Sequence, residues 1–511
     1  MLQRASESRV PATKTDTFPA PVKGWVQSGN VVGAGRDQAE VLDNFFPTGQ
    51  GARLRGGISE LADLGAAAVR LFVYQSGTNE TLFGATDADI FDTSDIAGGA
   101  VKTSLTSGDW STTQISTAGG EFLVGVNGAD TGFTYNGSTF SDLALTGVDE
   151  DAVSQVWLFK ERLFFVEGGT PSVWYLAVES IGGTATEINL GSVFRRGGNV
   201  LFGATWSLDS GNGLDDVCLF VSTTGEVAVY EGTDPSSAAT WALVGVYDIG
   251  EPLNKHAFFK AGGDLAILTE DGIIPISEAL RKDRAALQAN AITYPIEDAW
   301  KTAIANRAAA YPISATLWQS QTLLVVGTPQ EISNIPVSFV ANARTGAWCR
   351  VTGWDIQCSA VFEDKLYFGD ENGKVYRADV GGTDDGVQYT GIYVPKFITY
   401  PQNRNANFAG LTYRGTDEIG FEMEGHSDYS VGEILPPDVA TSGLTDVWGT
   451  GVWGTFTWGS TASLDTFTEW QTVSASGLSL APSIAVTSNQ TGQLVFEILA
   501  TRLRSEAGYE F

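Results

Sequence analysis

A chain of 511 residues with 43% hydrophobic and 18% charged side chains has material for a large core and is too apolar to be intrinsically disordered. Its formal charge of −30, from 30 basic and 60 acidic residues, argues against affinity for nucleic acid, which rests on Lys and Arg displacing phosphate counterions. Two histidines exclude a multi-histidine zinc site and three cysteines exclude a disulfide framework, while 60 glycines without a collagen period point to a turn-dense β protein.

Residues 1–57 read as an extended N-terminal arm, because Pro11, Pro19, Pro21 and Pro47 rule out long helix there. The arm closes on VLDNFFPTGQGARLRGG (residues 41–57), a strand, an Asn-aromatic-Pro turn and a basic-apolar strand ending in two glycines. No apolar signal segment opens the chain and no apolar run reaches membrane length, so neither export by a signal peptide nor membrane insertion is expected. The Asn-x-Ser/Thr matches at Asn79, Asn136 and Asn489 then read as chance.

From residue 58 to 388 one unit recurs: a hydrophobic strand, an acidic or glycine turn, and a second strand ending in an aromatic residue. Copies occupy residues 81–92, 122–137, 162–177, 218–232, 264–277 and 365–378, with a degenerate copy at 322–340. A spacing of about 40–50 residues between most neighbours implies stacked β units such as propeller blades. In residues 218–232 two runs of β-branched and aromatic residues flank Thr223, Thr224 and Gly225, a hairpin pattern. Val217, Leu219 and Val221 face one side, Cys218 and Phe220 the other, and both sides are apolar. A sheet covered on both faces fits propeller blades, which cover one another; a β-sandwich with long insertions is the alternative. The expected fold is therefore all-β, a β-propeller of about six to seven blades. Of the three thiols, Cys349 and Cys358 could pair, and buried free thiols are the other outcome.

Near residues 277–310 a helical insertion interrupts the strands. Ser277 is placed to cap a helix over residues 277–291 with Leu280, Ala286 and Leu287 on its apolar face, and a second helix is expected over 296–310. The pair packs either sideways on a partner subunit or on its own blade. Residues 389–511 change rhythm and read as a C-terminal antiparallel β domain, with alternating segments at 421–425, 483–487 and 494–504 and a loop at Pro436 and Pro437. Within it Trp448, Trp453 and Trp458 are each followed by glycine at a five-residue step, which suits neither a strand face nor a helix face. They form a sugar-binding or partner-docking platform, or else aromatic plugs beneath a glycine-rich loop or a subunit contact.

The search for chemistry is mostly negative. His256 and His426 sit in no ligand-spaced motif, and no Gly-x-Ser-x-Gly elbow occurs. Residues 369–374 are too short for a phosphate loop and place Val375 where Ser or Thr belongs, so they read as the turn between two blade strands. Residues 207–211 resemble a single incomplete aspartate box of sialidase-type propellers. The acidic groups Asp87, Asp89 and Asp92, Asp215 and Asp216, and Asp384 and Asp385 read as solvated turns. A carboxylate pair for glycoside hydrolysis cannot be chosen among 60 acidic residues. No catalytic residue, cofactor or metal is therefore expected.

Residues 41–57 resemble a segment near the start of many tailed-phage virion proteins, in which a Leu-x-Asn-aromatic-x-Pro turn precedes a short basic-apolar strand and two glycines. Residues 225–253, 263–280, 348–354 and 366–379 resemble the same proteins, and the likeness spans roughly residues 40–385. By architecture these look like the β-propeller hub, or nozzle, proteins of short-tailed phages. The resemblance implies a structural protein of the virion tail without catalysis, synthesised in the bacterial host cytoplasm, with self-association into a ring, commonly of six copies. Its implied partners are the tail adaptor and portal-associated proteins and the tail fibres or spike, and DNA would pass through the ring without specific binding. Candidate interface residues on this reading are Asn44, Phe45, Pro47, Arg53, Arg55, Trp448, Trp453 and Trp458. A receptor- or glycan-binding tail protein and a carbohydrate-active propeller enzyme are the competing expectations.

Overall fold

The computed structural model describes residues 13–27, 33–209, 214–307, 313–328, 337–416, 419–437 and 464–507. The chain divides into two compact units, Glu60–Ser338 with Trp354–Ala378, and Met1–Ser59 with Phe339–Gly353 and Asp379–Phe511.

The first unit is a six-bladed β-propeller. Its first blade is built from Arg70–Ser76, Asn79–Ala85, Ile90–Asp92 and Ala100–Lys102, and its second from Ser111–Thr117, Gly120–Val126, Phe133–Tyr135 and Phe140–Asp142. The third holds Val153–Phe159, Arg162–Glu167, Ser172–Tyr175 and Thr186–Asn189, and the fourth Val200–Asp209, Leu214–Ser222, Glu226–Gly232 and Trp241–Asp248. The fifth has three strands, Phe258–Ala261, Asp264–Thr269 and Gly272–Pro275. The sixth joins Cys358–Phe362, Lys365–Gly369 and Lys374–Ala378 to residues 60–63, so an early segment of the chain completes the last blade. Between the fifth and sixth blades lies the hairpin Ser314–Trp318 and Leu323–Gly327, whose first strand touches the inner strands of both. Six copies of the repeat seen in the sequence are the second and third strands of the six blades, whereas the degenerate copy at 322–340 covers Leu323–Gly327 and Val337–Asn342, which belong to no blade.

Apolar residues on both faces of these strands are what stack the blades. In the fourth blade Val217, Leu219 and Val221 enter a cluster with Leu265, Ile267 and Ile274 of the fifth, while Cys218 and Phe220 enter a cluster with Trp157, Phe164 and Val166 of the third. The sidedness read from the sequence holds residue by residue. The same division recurs at Phe164 against Phe165 and at Leu123 against Val124. Each large side chain buried this way contributes roughly 1.5–3 kcal/mol. Hydrogen bonds stitch the same seams. The buried Gln155 side chain donates to the Gly203 carbonyl and accepts from its N–H, both at 3.0 Å, and Thr205 donates to the Leu158 carbonyl at 2.7 Å. Two first hairpins turn through paired left-handed residues, Lys160 and Glu161 (φ 46° and 60°) and Glu363 and Asp364 (φ 48° and 59°), the backbone signs of a tight turn that keeps strand twist.

The helical insertion forms in shorter pieces than the sequence implies: Ile276–Ala279, Arg284–Leu287 and Glu297–Ala305. Ser277 caps none of them. Its hydroxyl donates to Asp264 Oδ2 at 2.6 Å, and Pro275 stands at the cap position. The helices pack on their own propeller: Ile276, Ala279 and Leu287 join the fourth-to-fifth-blade cluster, and Trp300 donates from Nε1 to the Thr269 carbonyl at 3.1 Å. Ala286, expected on the apolar face, is exposed.

The second unit is a sheet of long strands. Ile398–Gly415, Asp465–Ser488 and Phe496–Ala507 form its centre, the first pairing antiparallel with the other two. Tyr389–Pro395 and Glu422–Ser427 also pair with Asp465–Ser488. The described residues of the N-terminal arm contribute strands. Lys14–Pro19 and Ala52–Leu54 pair with Phe496–Ala507, and Ala39–Asp43 pairs with Tyr389–Pro395.

Candidate functional site

Two of the segments that carry the phage-tail resemblance, residues 41–57 and 348–353, meet inside the second unit, whereas those at 225–253, 263–280 and 366–378 lie in the propeller. Asn44 sits in the left-handed region (φ 61°), a conformation Asn tolerates better than most residues. From there its Nδ2 donates to Thr352 Oγ1 (2.8 Å) and the Thr390 carbonyl (2.7 Å), and its Oδ1 accepts from Arg55 Nε (2.9 Å) and Thr352 N (3.0 Å). Arg55 is fully buried and uses all of its donors. Besides Asn44 they reach the carbonyls of Gly56 (2.8 Å) and Thr352 (3.0 Å) and both carboxylate oxygens of Asp384 (2.7 and 2.6 Å). The Tyr389 ring lies 3.9 Å beneath the guanidinium carbon, and the Tyr389 hydroxyl donates to the Arg55 carbonyl.

Two further bidentate pairs flank this knot. Arg53 holds Asp379 at 3.1 and 2.7 Å, and Arg350 holds Asp43 at 2.6 and 2.7 Å. Burial raises the Asp43 pKa above its ordinary value, against the opposing charge and hydrogen bond of Arg350. Phe45 and Leu54 pack on Gly391, where an added Cβ would lie 2.4–2.7 Å from them, and Pro47 accepts from Asn342 Nδ2 at 2.9 Å. Of the candidate interface residues, Asn44, Phe45, Pro47 and Arg55 are thus buried within the unit and Arg53 is half-buried. Their side chains bind the chain to itself. Trp448, Trp453 and Trp458 lie outside the described residues, as do Ser210 and Gly211 of the aspartate-box likeness.

A second polar cluster, which the sequence did not reveal, lies in the propeller, with His256 buried, Lys255 mostly covered and Asp109 37% exposed. Asp109 precedes the inner strand of the second blade, and Lys255 and His256 precede that of the fifth. His256 Nε2 lies 2.7 Å from Asp109 Oδ1, and Lys255 Nζ 3.1 Å from Asp109 Oδ2. Lys255 also donates to the carbonyls of Asp109 (2.7 Å) and Asn127 (3.1 Å). These blades are not neighbours, so the cluster is a strut across the lead-in end of the ring. Burial, and then the charge of Arg70, push His256 down to about 3, leaving a neutral imidazole that donates to the carboxylate. Burial disfavours the Asp109 carboxylate, but the His256 hydrogen bond and the cationic neighbours outweigh it and hold its pKa well below the usual range. Burial also lowers the Lys255 pKa. His256 stood out in the sequence only as an isolated histidine. The missing signal was distance, since 147 positions separate it from Asp109.

The remaining acidic turns serve local structure. Asp87 accepts from Gly108 N and Asp92 from Ser94 N, and Asp370 takes the N–H groups of Asn372 and Lys374 in the turn between two strands of the sixth blade. Among the described residues no three His, Cys, Asp or Glu side chains are grouped to hold a metal ion, and no helix is long and apolar enough to cross a membrane. Cys218, Cys349 and Cys358 are free and buried, and burial raises all three pKa values, that of Cys358 to about 12. A thiol-specific aromatic disulfide at pH 8 is therefore expected to titrate no cysteine in the native protein and all three after denaturation.

The fold defines a β-propeller protein with a second, long-stranded β unit. No protein-family model matches the chain, and no curated protein matches it. Solved structures similar to it include the computationally designed Ika8 protein, at 9% identity and TM-score 0.37 over 63% of this chain and 99% of that one. BBS1N in complex with ARL6DN is similar at 8% identity and TM-score 0.38 over 64% and 96%, and Raptor of Chaetomium thermophilum at 11% and 0.41 over 63% and 28%. Likenesses this distant carry no argument about function.

Proposed function

We propose that this chain is a non-catalytic structural protein of a tailed-phage virion, one copy of a closed hub or nozzle ring at the distal end of a short tail. The observation that carries the reading is the role of the resemblance motif. Asn44 and Arg55 build a buried joint in which every guanidinium donor of Arg55 is bonded, so the motif encodes a scaffold. Buried, fully bonded charge networks rigidify and specify one arrangement. On this reading DNA travels through the lumen that the copies enclose, since the Asp109–Lys255–His256 strut crosses the axis of each propeller. An overall charge of −30 per copy keeps phosphate from adhering to such a lining.

The test is crosslinking mass spectrometry on purified virions, combined with electron microscopy of their tails. Expected are crosslinks between copies and to the adaptor beneath the portal, with density for a ring in the tail. A chain absent from washed particles would refute the reading.

A further inference from the structure

One outer face of the second unit departs from the acidic character of the chain. Four antiparallel strands lie side by side in the order Asp465–Ser488, Ile398–Gly415, Phe496–Ala507 and Lys14–Pro19. Strand alternation puts every second residue on the solvent side. Register then sets Trp470, Gly410, Arg502 and Thr17 in one row across the sheet, and Thr472, Phe408, Arg504 and Thr15 in the next. The Trp470 indole lies flat over Gly410, where an added Cβ would stand 2.8 Å from the ring, so glycine makes the seat for the platform. Trp470 stays 47% exposed and Phe408 41% exposed. Arg504 is exposed with its guanidinium carbon 5.8 Å from the Phe408 ring centre, and Arg502 is half-buried and donates to Thr412 Oγ1 at 2.7 Å. Neither arginine has a carboxylate within ion-pair distance among the described residues. Arg414, two rows beyond Gly410, is paired with Glu497 at 3.3 Å. Glu506, at the margin, is half-buried.

Two exposed aromatic rings beside two uncompensated arginines are the residue types that dominate protein–protein binding energy. The inward faces of these strands are already buried: Ala409, Leu411, Thr501 and Leu503 are covered, so the outer rows are not core residues awaiting their own chain. A charge-complementary occupant is acidic. With 60 acidic against 30 basic residues in its sequence, every other copy of this chain is such an acidic body. We infer that the Trp470–Phe408–Arg502–Arg504 face docks onto a second copy of this chain, against a carboxylate-rich surface of the neighbour. A contact between two different surfaces propagates head to tail and closes as a ring when its rotation permits. This inference rests on the ring reading above and names the face that would make the contact.

The test is sedimentation equilibrium on the full chain at low and high salt, for the wild type and for the Trp470→Ala and Arg504→Glu variants. Both change exposed side chains, and coincident thermal transitions would show that the variants fold. The expected result is wild-type self-association that weakens as salt rises, and an association constant at least about 30-fold lower in each variant. Wild-type association left unchanged by both substitutions would overturn the face as the docking site while leaving the ring reading intact. A wild type that stays monomeric at about 100 µM would overturn the self-docking inference, with the ring reading still to be judged on virions. Binding of labelled single-stranded DNA that is lost in Trp470→Ala would also overturn it, because the rings would then be stacking platforms for bases.

Discussion

Arg55→Met is expected to destabilise the second unit by about 3–5 kcal/mol, the cost of breaking one side of a buried ion pair. The methionine fills part of the volume, but Asp384 keeps a carboxylate that loses both guanidinium bonds, Asn44 Oδ1 loses its Arg55 partner, and the Thr352 carbonyl loses another. Arg55→Lys rescues little, because a point ammonium cannot span the fork that the guanidinium fills. The double replacement Arg55→Met with Asp384→Leu should recover a large part of the loss, since exchanging both members of a buried pair for apolar groups is often near neutral. With two compact units in the chain, a single unfolding midpoint is a poor readout. Native-state hydrogen exchange is the better measurement, with faster exchange expected at the amides of Tyr389–Pro395 and Trp348–Thr352, which the knot ties together, and little change in the propeller blades. Unaltered exchange in those strands would mean the knot contributes nothing to holding them.

The strut in the propeller should make that unit sensitive to acid. In the unfolded chain His256 takes up a proton near its ordinary value of 6.5, whereas in the folded protein it does so only near 3. Between those values the unfolded state holds more protons, so stability falls as the pH is lowered through that window. The contribution at stake is on the order of 4 kcal/mol for a group this deeply buried. Asp109 acts in the same direction at the acid end: its folded pKa lies below the ordinary 3.8, so its stabilisation is present above that value and is lost as the carboxylate protonates. His256→Gln keeps an N–H aimed at Asp109 and removes the titration. It should flatten the stability profile between about pH 6.5 and 3 relative to the wild type. Denaturant titrations at several pH values, followed by tryptophan fluorescence, read this directly, and parallel profiles for the two proteins would show that His256 does not couple to folding. Asp109→Asn has the opposite character, leaving the largely covered Lys255 ammonium without its counter-charge and destabilising the propeller at neutral pH, by less than the loss of a fully buried pair because the Asp109 carboxylate is 37% exposed.

The propeller was legible because its signal is local and repeated. Residues 218–232 announce a hairpin by composition and announce two covers by being apolar on both sides. The structure places Val217 and Cys218 in different seams accordingly. The helices over residues 276–305 were legible as helical but not in their lengths. Ser277 was taken by Asp264, a strand residue 13 positions away, and a side chain with a better partner elsewhere does not cap.

Residues 41–57 show the limit most clearly. The pattern of Asn44, Arg53 and Arg55 stands out in the sequence, and the resemblance makes them candidate interface residues without saying what they touch. The fold buries Asn44 and Arg55 and leaves Arg53 half-buried, because partners from residues 342–352 and 379–390 reach them at hydrogen-bond distance. By itself the sequence determined the repeated hairpins, their two-sided burial and the acidic surface, since strand periodicity and charge are properties of neighbouring residues. Only the tertiary structure decided which polar groups meet in the interior, with the Arg55 guanidinium against Asp384 and the neutral His256 imidazole against Asp109. Desolvation is tolerated only where a distant partner arrives at hydrogen-bond distance, and spacing along the chain does not encode that arrival.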